Sequence, residues 1–488
     1  MDSSAISISF TLAALLPEFV IGTSAIILLM GGVFAGDKST LKMHALGLFV
    51  LVSTLGMMWV SPIPFERHYV FQAMFVTDNF TKFVKLLLIA GTALVFLLSE
   101  NWLNREENRR PEFTVLMLFA LVGMLFMVSA NDLMSLYMGM ELSSLALYVL
   151  ASFNRDSLKS TEAGIKYFVL GALASGLFLF GASLVYGFSG TTNFNLLAEA
   201  ITSQPQASPG LLTGFVLIAV AFCFKVSAAP FHMWTPDVYE GAPTPVTAYF
   251  SIVPKIAALA LLARLLCDPF HAMHAAWQQI IIVASLASML VGAFGALGQK
   301  NIKRLLAYSS IGHVGYLLAG LATGTVSGVA AVLLYLSLYL LMSAGAFACI
   351  MMMKKNNEYV EEIYDLSGLS RTHPRMAFAL ALFMFSMAGI PPLAGFFGKM
   401  YIFLATLESG LFALAIIGGL ASVVACFYYL KVVKVMYFDE PLPTSLDTKP
   451  SRPLILVTVL CASITLLFFL SPAPLVHYAR AAAGALFN

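Results

Sequence analysis

Charge is what this sequence has least of. Of its 488 residues only 11% are Asp, Glu, Lys or Arg, less than half the roughly one quarter that keeps a globular surface in water. A soluble domain is thereby excluded for most of the chain. Cysteine is scarce too: Cys223, Cys267, Cys349, Cys426 and Cys461 stand singly, mostly within apolar runs, with no CxxC or cluster spacing. They supply no recognisable ligand set for zinc or an iron–sulfur cluster and read as small core residues. No Walker loop or strand-associated GxGxxG is present. A basic patch with interleaved aromatics is also missing, and with a formal net charge of +2 nucleic acid is excluded as a partner. The N-terminal stretch MDSSAISISF has no basic n-region, so the apolar run after it is expected to stay as a helix. Nowhere is there the roughly ten-residue alternation of a membrane β-barrel.

What remains is long hydrophobic runs. The chain is 60% hydrophobic with a mean hydropathy of +0.88, and a helix needs about 20 apolar residues to cross a bilayer. Apolar runs bounded by turn signals fall near 11–33, 42–61, 79–99, 113–130, 133–152, 163–188, 211–233, 239–266, 275–297, 304–322, 327–353, 376–406, 411–437 and 453–474. The expected fold is therefore an all-α polytopic membrane protein of about fourteen transmembrane helices.

Orientation follows from the short loops. Alternate connections hold nearly all the Lys and Arg: Lys38 and Lys42; Arg105, Arg109 and Arg110; Arg155 and Lys159; Lys300, Lys303 and Arg304; Lys354, Lys355, Arg371 and Arg375; Lys434, Lys449 and Arg452. Positive loops stay in the cytoplasm, so the intervening ones, such as 189–210 with no Lys or Arg, face outward. Both termini are then expected on the outer, periplasmic side.

Two of the runs are interrupted. FKVSAAPFHMWTPDVYEGAPTPV has a lysine just before prolines, and MAGIPPLAGFFGKMYIF has prolines and glycines just before a lysine. Both read as broken helices, in similar places within segments of similar length. That is the pattern of inverted repeats with a site at the membrane midplane. The expected organisation is helices 1–3 over residues 1–111, a first five-helix repeat over 112–268, a second over 269–438, and a C-terminal loop with helix 14 over 439–488.

An ionisable side chain deep in hydrocarbon costs a few kcal/mol or more and marks a functional position by default. Four lie well inside apolar runs: Glu141, Lys225, Lys255 and Lys399. Burial pushes a lysine toward releasing its proton, whereas a neighbouring carboxylate pushes it toward keeping one. At about 5 Å and an effective dielectric of about 20, that charge contributes about 3 kcal/mol. Motion of Glu141 relative to Lys225 would thus switch the lysine between holding and releasing a proton. Against this stands a purely structural Glu–Lys pair with two satisfied lysines. Broken helices are tolerated at membrane depth only where protein or a wet cavity surrounds them, which suits a proton path. His313, in YSSIGHVGYLLAG, is a candidate relay. His232 is a possible relay and equally a helix-end histidine bonding backbone. Asp132 reads as a cap of the fifth helix, Asp237 and Glu240 as structural charges in the break, and Lys431 as interfacial. Glu18 is placed near a membrane edge and given no chemistry.

Together LMSLYMGMELSSLALYVL, FKVSAAPFHMWTPDVYEGAPTPV, QKNIKRLLAYSSIGHVGYLLAG and MAGIPPLAGFFGKMYIF resemble the N-subunit family of the proton-pumping NADH:quinone oxidoreductases, respiratory complex I. The resemblance covers most of the chain, and its DVYEGAP form distinguishes that family from antiporter-like relatives. It implies fourteen helices, two inverted five-helix repeats and discontinuous helices seven and twelve. It also implies roles: Glu141 and Lys225 as a modulating pair, Lys255 and His313 as the central relay, Lys399 as the terminal site. The enzyme label would come from the assembly, with NADH, FMN, iron–sulfur clusters and quinone in other subunits and no cofactor in this chain. Expected partners are the lipid bilayer and other membrane-arm subunits, including a second antiporter-like subunit and small helical subunits, in a bacterial cytoplasmic (inner) membrane. The nearest rival is a subunit of a multisubunit cation/proton antiporter. A structural scaffold that has lost transport is disfavoured by four intact buried ionisable positions.

Overall fold

A computed structural model of the chain describes residues 15–60, 67–203, 208–355, 358–442, 446 and 451–487. The expected N-terminal stretch and the start of the first span lie outside the described residues. The first six helices are α1 (Leu16–Ala35), α2 (Thr40–Val60), α3 (Asn79–Leu103), α4 (Glu112–Ser129), α5 (Leu133–Ala151) and α6 (Leu158–Ser189). Next come α7 (Phe194–Thr202), α8 (Pro209–Val226), α9 (Thr235–Gly241), α10 (Thr244–Cys267), α11 (His274–Leu297), α12 (Ile302–Ala322) and α13 (Val326–Met352). The chain closes with α14 (Pro374–Ala388), α15 (Ala394–Glu408), α16 (Phe412–Phe438), α17 (Arg452–Leu467) and α18 (Ala473–Gly484).

Among the described residues thirteen helices are long and apolar enough to cross a membrane. Helices α14 and α15, at 15 residues each, are too short singly and together supply the fourteenth crossing. The loops that hold most of the basic residues come together on one face: Arg105, Arg110, Arg155, Lys159, Lys303 and Lys355 line a single polar vestibule of about 740 Å³.

Close backbone approach sets the tightest helix pairs. A Cβ on Gly123 of α4 would lie 2.5 Å from the Ser143 nitrogen of α5, and one on Gly292 of α11 would lie 2.4 Å from the Gly312 nitrogen of α12. With little hydrophobic drive between helices in lipid, small residues let backbones touch and gain dispersion contact. Burial then grades from centre to rim. In their most apolar stretches α10 and α12 are each 94% buried, whereas α1 and α2 are 28% buried and α16 is 39% buried.

Both expected breaks are present. Helix α8 ends where Ser227 turns left-handed (φ 66°). The Ala228 nitrogen bonds back to the Cys223 carbonyl at 2.7 Å, and the Trp234 indole donates to the Phe224 carbonyl at 3.0 Å, so the freed carbonyls are satisfied inside the protein. Helix α14 ends at Gly389 (φ 91°), a conformation that favours glycine, and Pro391 and Pro392 keep the helix from resuming before Ala394.

Several features were not anticipated. Residues 439–488 were expected to hold a loop and one span, but α18 adds a further helix that packs against α3 and α13. Strands β1 (His68–Val70) and β2 (Phe75–Thr77) form a hairpin after α2. A second small hairpin pairs β3 (Lys354–Lys355) with β4 (Glu358–Tyr359). Glu18, in the first turn of α1, proves to be 1% exposed and ion-paired with Lys85 at 2.6 Å, a partner the sequence did not indicate.

Candidate functional site

Helical spacing builds the first cluster. Glu141, Ser144 and Tyr148 fall at i, i+3 and i+7 on α5, hence on one face. The Ser175 hydroxyl of α6 donates to the Glu141 carboxylate. Lys225, in the last turn of α8, donates to Ser144 Oγ at 2.6 Å and lies 3.5 Å from the Tyr148 hydroxyl. No ion pair joins Glu141 to Lys225 among the described residues. The lysine binds one helical turn away from the carboxylate, so the expected pair is linked through α5, not by direct contact.

Lys255 is 2% exposed and donates to Ser310 Oγ of α12 at 2.5 Å, with the Tyr239 ring 5.4 Å away. One turn further along α12 is His313, 3% exposed. Its Nδ1 lies 2.7 Å from the Tyr335 hydroxyl and its Nε2 3.0 Å from the Tyr429 hydroxyl. A neutral imidazole has one donor and one acceptor nitrogen, and two phenol hydroxyls serve either tautomer. Tyr429 continues the chain to Ser309 at 2.5 Å.

Lys399, on α15, donates to the Ala388 carbonyl at the end of α14 and to Ser422 Oγ of α16, each at 2.9 Å. A positive charge there complements the dipole at the C-terminus of a half-helix. Between His313 and Lys399 lies a cavity of about 10 Å³, also lined by Ser309, Tyr316, Tyr428 and Tyr429. That volume is at the threshold for one water molecule. His313, Lys255 and Lys399 are thus brought into one region.

His232 is not part of it. It sits half-buried in the break with its Nδ1 unbonded and makes no hydrogen bond to either cluster. The remaining charges have local partners. Asp132 caps α5, and Asp237 and Glu240 pair with Arg304. Lys431 reaches the Leu297 and Gln299 carbonyls at 3.5 and 3.4 Å.

One contrast sorts the lysines inside the protein, of which Lys225 is half-buried and Lys85, Lys255, Lys303 and Lys399 are buried. Lys85 faces Glu18 at 2.6 Å and Lys303 faces Glu361 at 2.7 Å, whereas Lys225, Lys255 and Lys399 have only hydroxyl and carbonyl acceptors within hydrogen-bonding distance. An opposite charge at contact favours the protonated form of a buried ammonium and opposes the effect of burial. The three lysines on the expected path have no such contact among the described residues. Residue-by-residue inspection missed their acceptors, Ser144, Ser310 and Ser422, and the partners of His313, Tyr335 and Tyr429. The signal was available in the spacing: Ser144 is three residues after Glu141, and Ser310 is three before His313.

Among the described residues no group of three or more His, Cys, Asp or Glu is placed to hold a metal ion. Comparison with known proteins then sets the arrangement in a family. Residues 130–425 match the family described as NADH:quinone oxidoreductase/Mrp antiporter, TM. NADH-quinone oxidoreductase subunit N of Rhodospirillum rubrum is 54% identical over 98% of both chains. That of Parvibaculum lavamentivorans is 51% identical over 96% of this chain and 97% of its own. Among solved structures, a chain of respiratory complex I from Thermus thermophilus superposes with a TM-score of 0.80 at 30% identity, covering 94% of this chain and 98% of that one. A chain of the Mrp complex from Dietzia sp. reaches 0.84 at 22% identity, covering 97% and 98%, which speaks for the fold alone. The chain belongs to the subunit N family of NADH-quinone oxidoreductase, within the wider NADH:quinone oxidoreductase/Mrp antiporter transmembrane family.

Proposed function

We propose that this subunit, a multi-pass proton-translocating membrane component of NADH:quinone oxidoreductase, moves protons through Glu141, Lys225, Lys255, His313 and Lys399. The observation that carries the assignment is that half-buried Lys225 and buried Lys255 and Lys399 have neutral acceptors only among the described residues, while buried Lys85 and Lys303, outside the path, face carboxylates. A proton held by hydroxyls and carbonyls can be released without leaving an unpaired carboxylate in the hydrocarbon. Glu141 acts on Lys225 through space, and its effect changes with any shift of α5 against α8. Lys255, held by Ser310, and His313, one turn along α12, carry the central step, and a water in the cavity beside His313 completes the step to Lys399. His232 serves the break as a helix-end residue in this scheme.

The two inverted five-helix repeats, over 112–268 and 269–438, are part of the same reading. Each opens with a glycine-to-glycine helix pair, and each carries a broken helix with a lysine beside it. The basic face is assigned to the cytoplasm and both termini to the periplasmic side of a bacterial inner membrane. Neighbouring membrane-arm subunits, among them a second antiporter-like subunit and small helical subunits, flank the chain. NADH, FMN, the iron–sulfur clusters and quinone are bound elsewhere in the complex. The cation/proton antiporter reading has a shared family model and a shared fold in its favour, whereas the relative 54% identical over 98% of both chains is a subunit N.

The test is Lys225→Ala, assayed in inverted membrane vesicles for NADH-driven acidification, with a native gel stained for NADH dehydrogenase activity to count assembled complex. The expected result is an assembled complex with impaired pumping. Normal pumping sinks the role of Lys225, and loss of the assembled band assigns it to structure instead.

A further inference from the structure

On the rim of the protein, away from the lysines, α14 and α17 leave a groove of about 710 Å³ between them, lined chiefly by apolar side chains. A second, wholly apolar groove of about 440 Å³ continues from it, the two sharing Phe378, Leu382 and Leu466. Phe378 is 59% exposed and Val459 57% exposed, so the described residues do not cover this face.

The mouth has a different character. Helices α14 and α17 both begin there, at Pro374 and Arg452, and two helix N-termini at one place give a local positive potential. Arg375 lines the mouth. Arg452 precedes the groove residues Ile455 and Val459 by three and seven positions and so shares their helix face. Both arginines are exposed, and neither is ion-paired among the described residues. A long apolar slot opening onto two unpaired arginines and two helix N-termini has the charge and shape of a diacyl anion's binding site. We propose that this groove holds an anionic phospholipid, its phosphate between Arg375 and Arg452 and its acyl chains along Phe378, Leu382 and Leu466. The inner groove reaches Leu393, the last residue before α15, so the lipid also braces the broken helix that carries Lys399.

The intact complex, reconstituted in phosphatidylcholine nanodiscs, provides the test. Trace phosphatidylglycerol bearing a photoactivatable acyl chain, or phosphatidylcholine with the same chain, is added and crosslinked, and labelled peptides are read by mass spectrometry. The phosphatidylglycerol probe should label residues 374–388 and 452–467 several-fold more than the phosphatidylcholine probe. The double variant Arg375→Gln/Arg452→Gln should remove that preference, about fivefold for each arginine, while labelling of α2 stays the same. Should the variant fail to assemble, unlabelled phosphatidylglycerol must displace the label from the wild type where phosphatidylcholine does not. Equal labelling by both probes, a preference that survives the double variant, equal displacement, or no label because a neighbouring protein helix fills the groove would each overturn the proposal.

Discussion

Gly171 on α6 offers the sharpest probe of the first cluster, because the same substitution five residues on serves as its control. A Cβ at Gly171 would lie 2.1 Å from the Tyr148 hydroxyl, 2.6 Å from its Cζ and 2.8 Å from its Cε1, whereas a Cβ at Gly176 would meet nothing within 4 Å. Restoring ordinary contact from 2.1 Å requires the Tyr148 hydroxyl to retreat by about 1.3 Å, about the scale at which misplaced groups lose rate. Room for that is short, since the Tyr148 ring packs edge-on against Tyr167 at 4.8 Å and Phe168 at 5.7 Å. Overpacking of this kind costs about 1–3 kcal/mol. The helix-propensity gain of Gly→Ala, about 1 kcal/mol, is common to both variants and cancels in the comparison. The displaced hydroxyl also leaves Lys225, from which it is 3.5 Å. A lost contact to a charged group is worth about 1.5 kcal/mol, or roughly tenfold in rate. Gly171→Ala should therefore pump about tenfold more slowly per assembled complex, and Gly176→Ala like wild type, in NADH-driven acidification of inverted vesicles normalised by native gel. Equal pumping by the two variants would refute the idea that the Tyr148 hydroxyl supports Lys225.

The other perturbations address the second cluster and the buried Asp78–Arg264 ion pair. Tyr335→Phe and Tyr429→Phe each remove one hydroxyl from His313. Each should cost about 1 kcal/mol of stability and slow pumping several-fold; unchanged pumping in both removes His313's orientation from the mechanism. Asp78→Asn takes the carboxylate from Arg264, which is 0% exposed and held at 2.9 Å, and should lower stability by about 3–5 kcal/mol, read as the unfolding temperature of the detergent-solubilised complex. Burial pushes the Asp78 carboxyl up, but Arg264, Thr81 and Arg67 more than offset it and hold it below its ordinary range. Its contribution is therefore complete at neutral pH and fades only as pH falls through that lowered value. A wild-type unfolding temperature in Asp78→Asn would contradict the account.

The fold was legible where the physics is one-dimensional. Hydropathy located the crossings because length and apolarity are all that a bilayer demands, and proline with glycine located the breaks. Helix α18 was missed because APLVHYARAAAG is short and mixed, stabilised by α3 and α13 and not by its own composition. Lys85 drew no notice because its partner Glu18 lies 67 positions away, and sequence gives no distance. The serines and tyrosines of the site were invisible for a different reason. In membrane helices both residue types pass as packing, and only the three-residue offsets of Ser144 from Glu141 and of Ser310 from His313 set two of them apart. Glu141 and Lys225 were expected together, yet they meet through Ser144 and Tyr148, which no pairwise reading of charges would supply.

Helices α10 and α12, each sealed by neighbours along nearly all their length, carry Lys255 and His313. No lipid and no other protein touches these two side chains, so any outside influence reaches them only through the helices packed around them or as an electric field. A charge gained or lost at the margin is felt there in a low-dielectric interior that screens it poorly, and a shift of α5 against α8 would change the field at Lys225 without either sealed helix having to move.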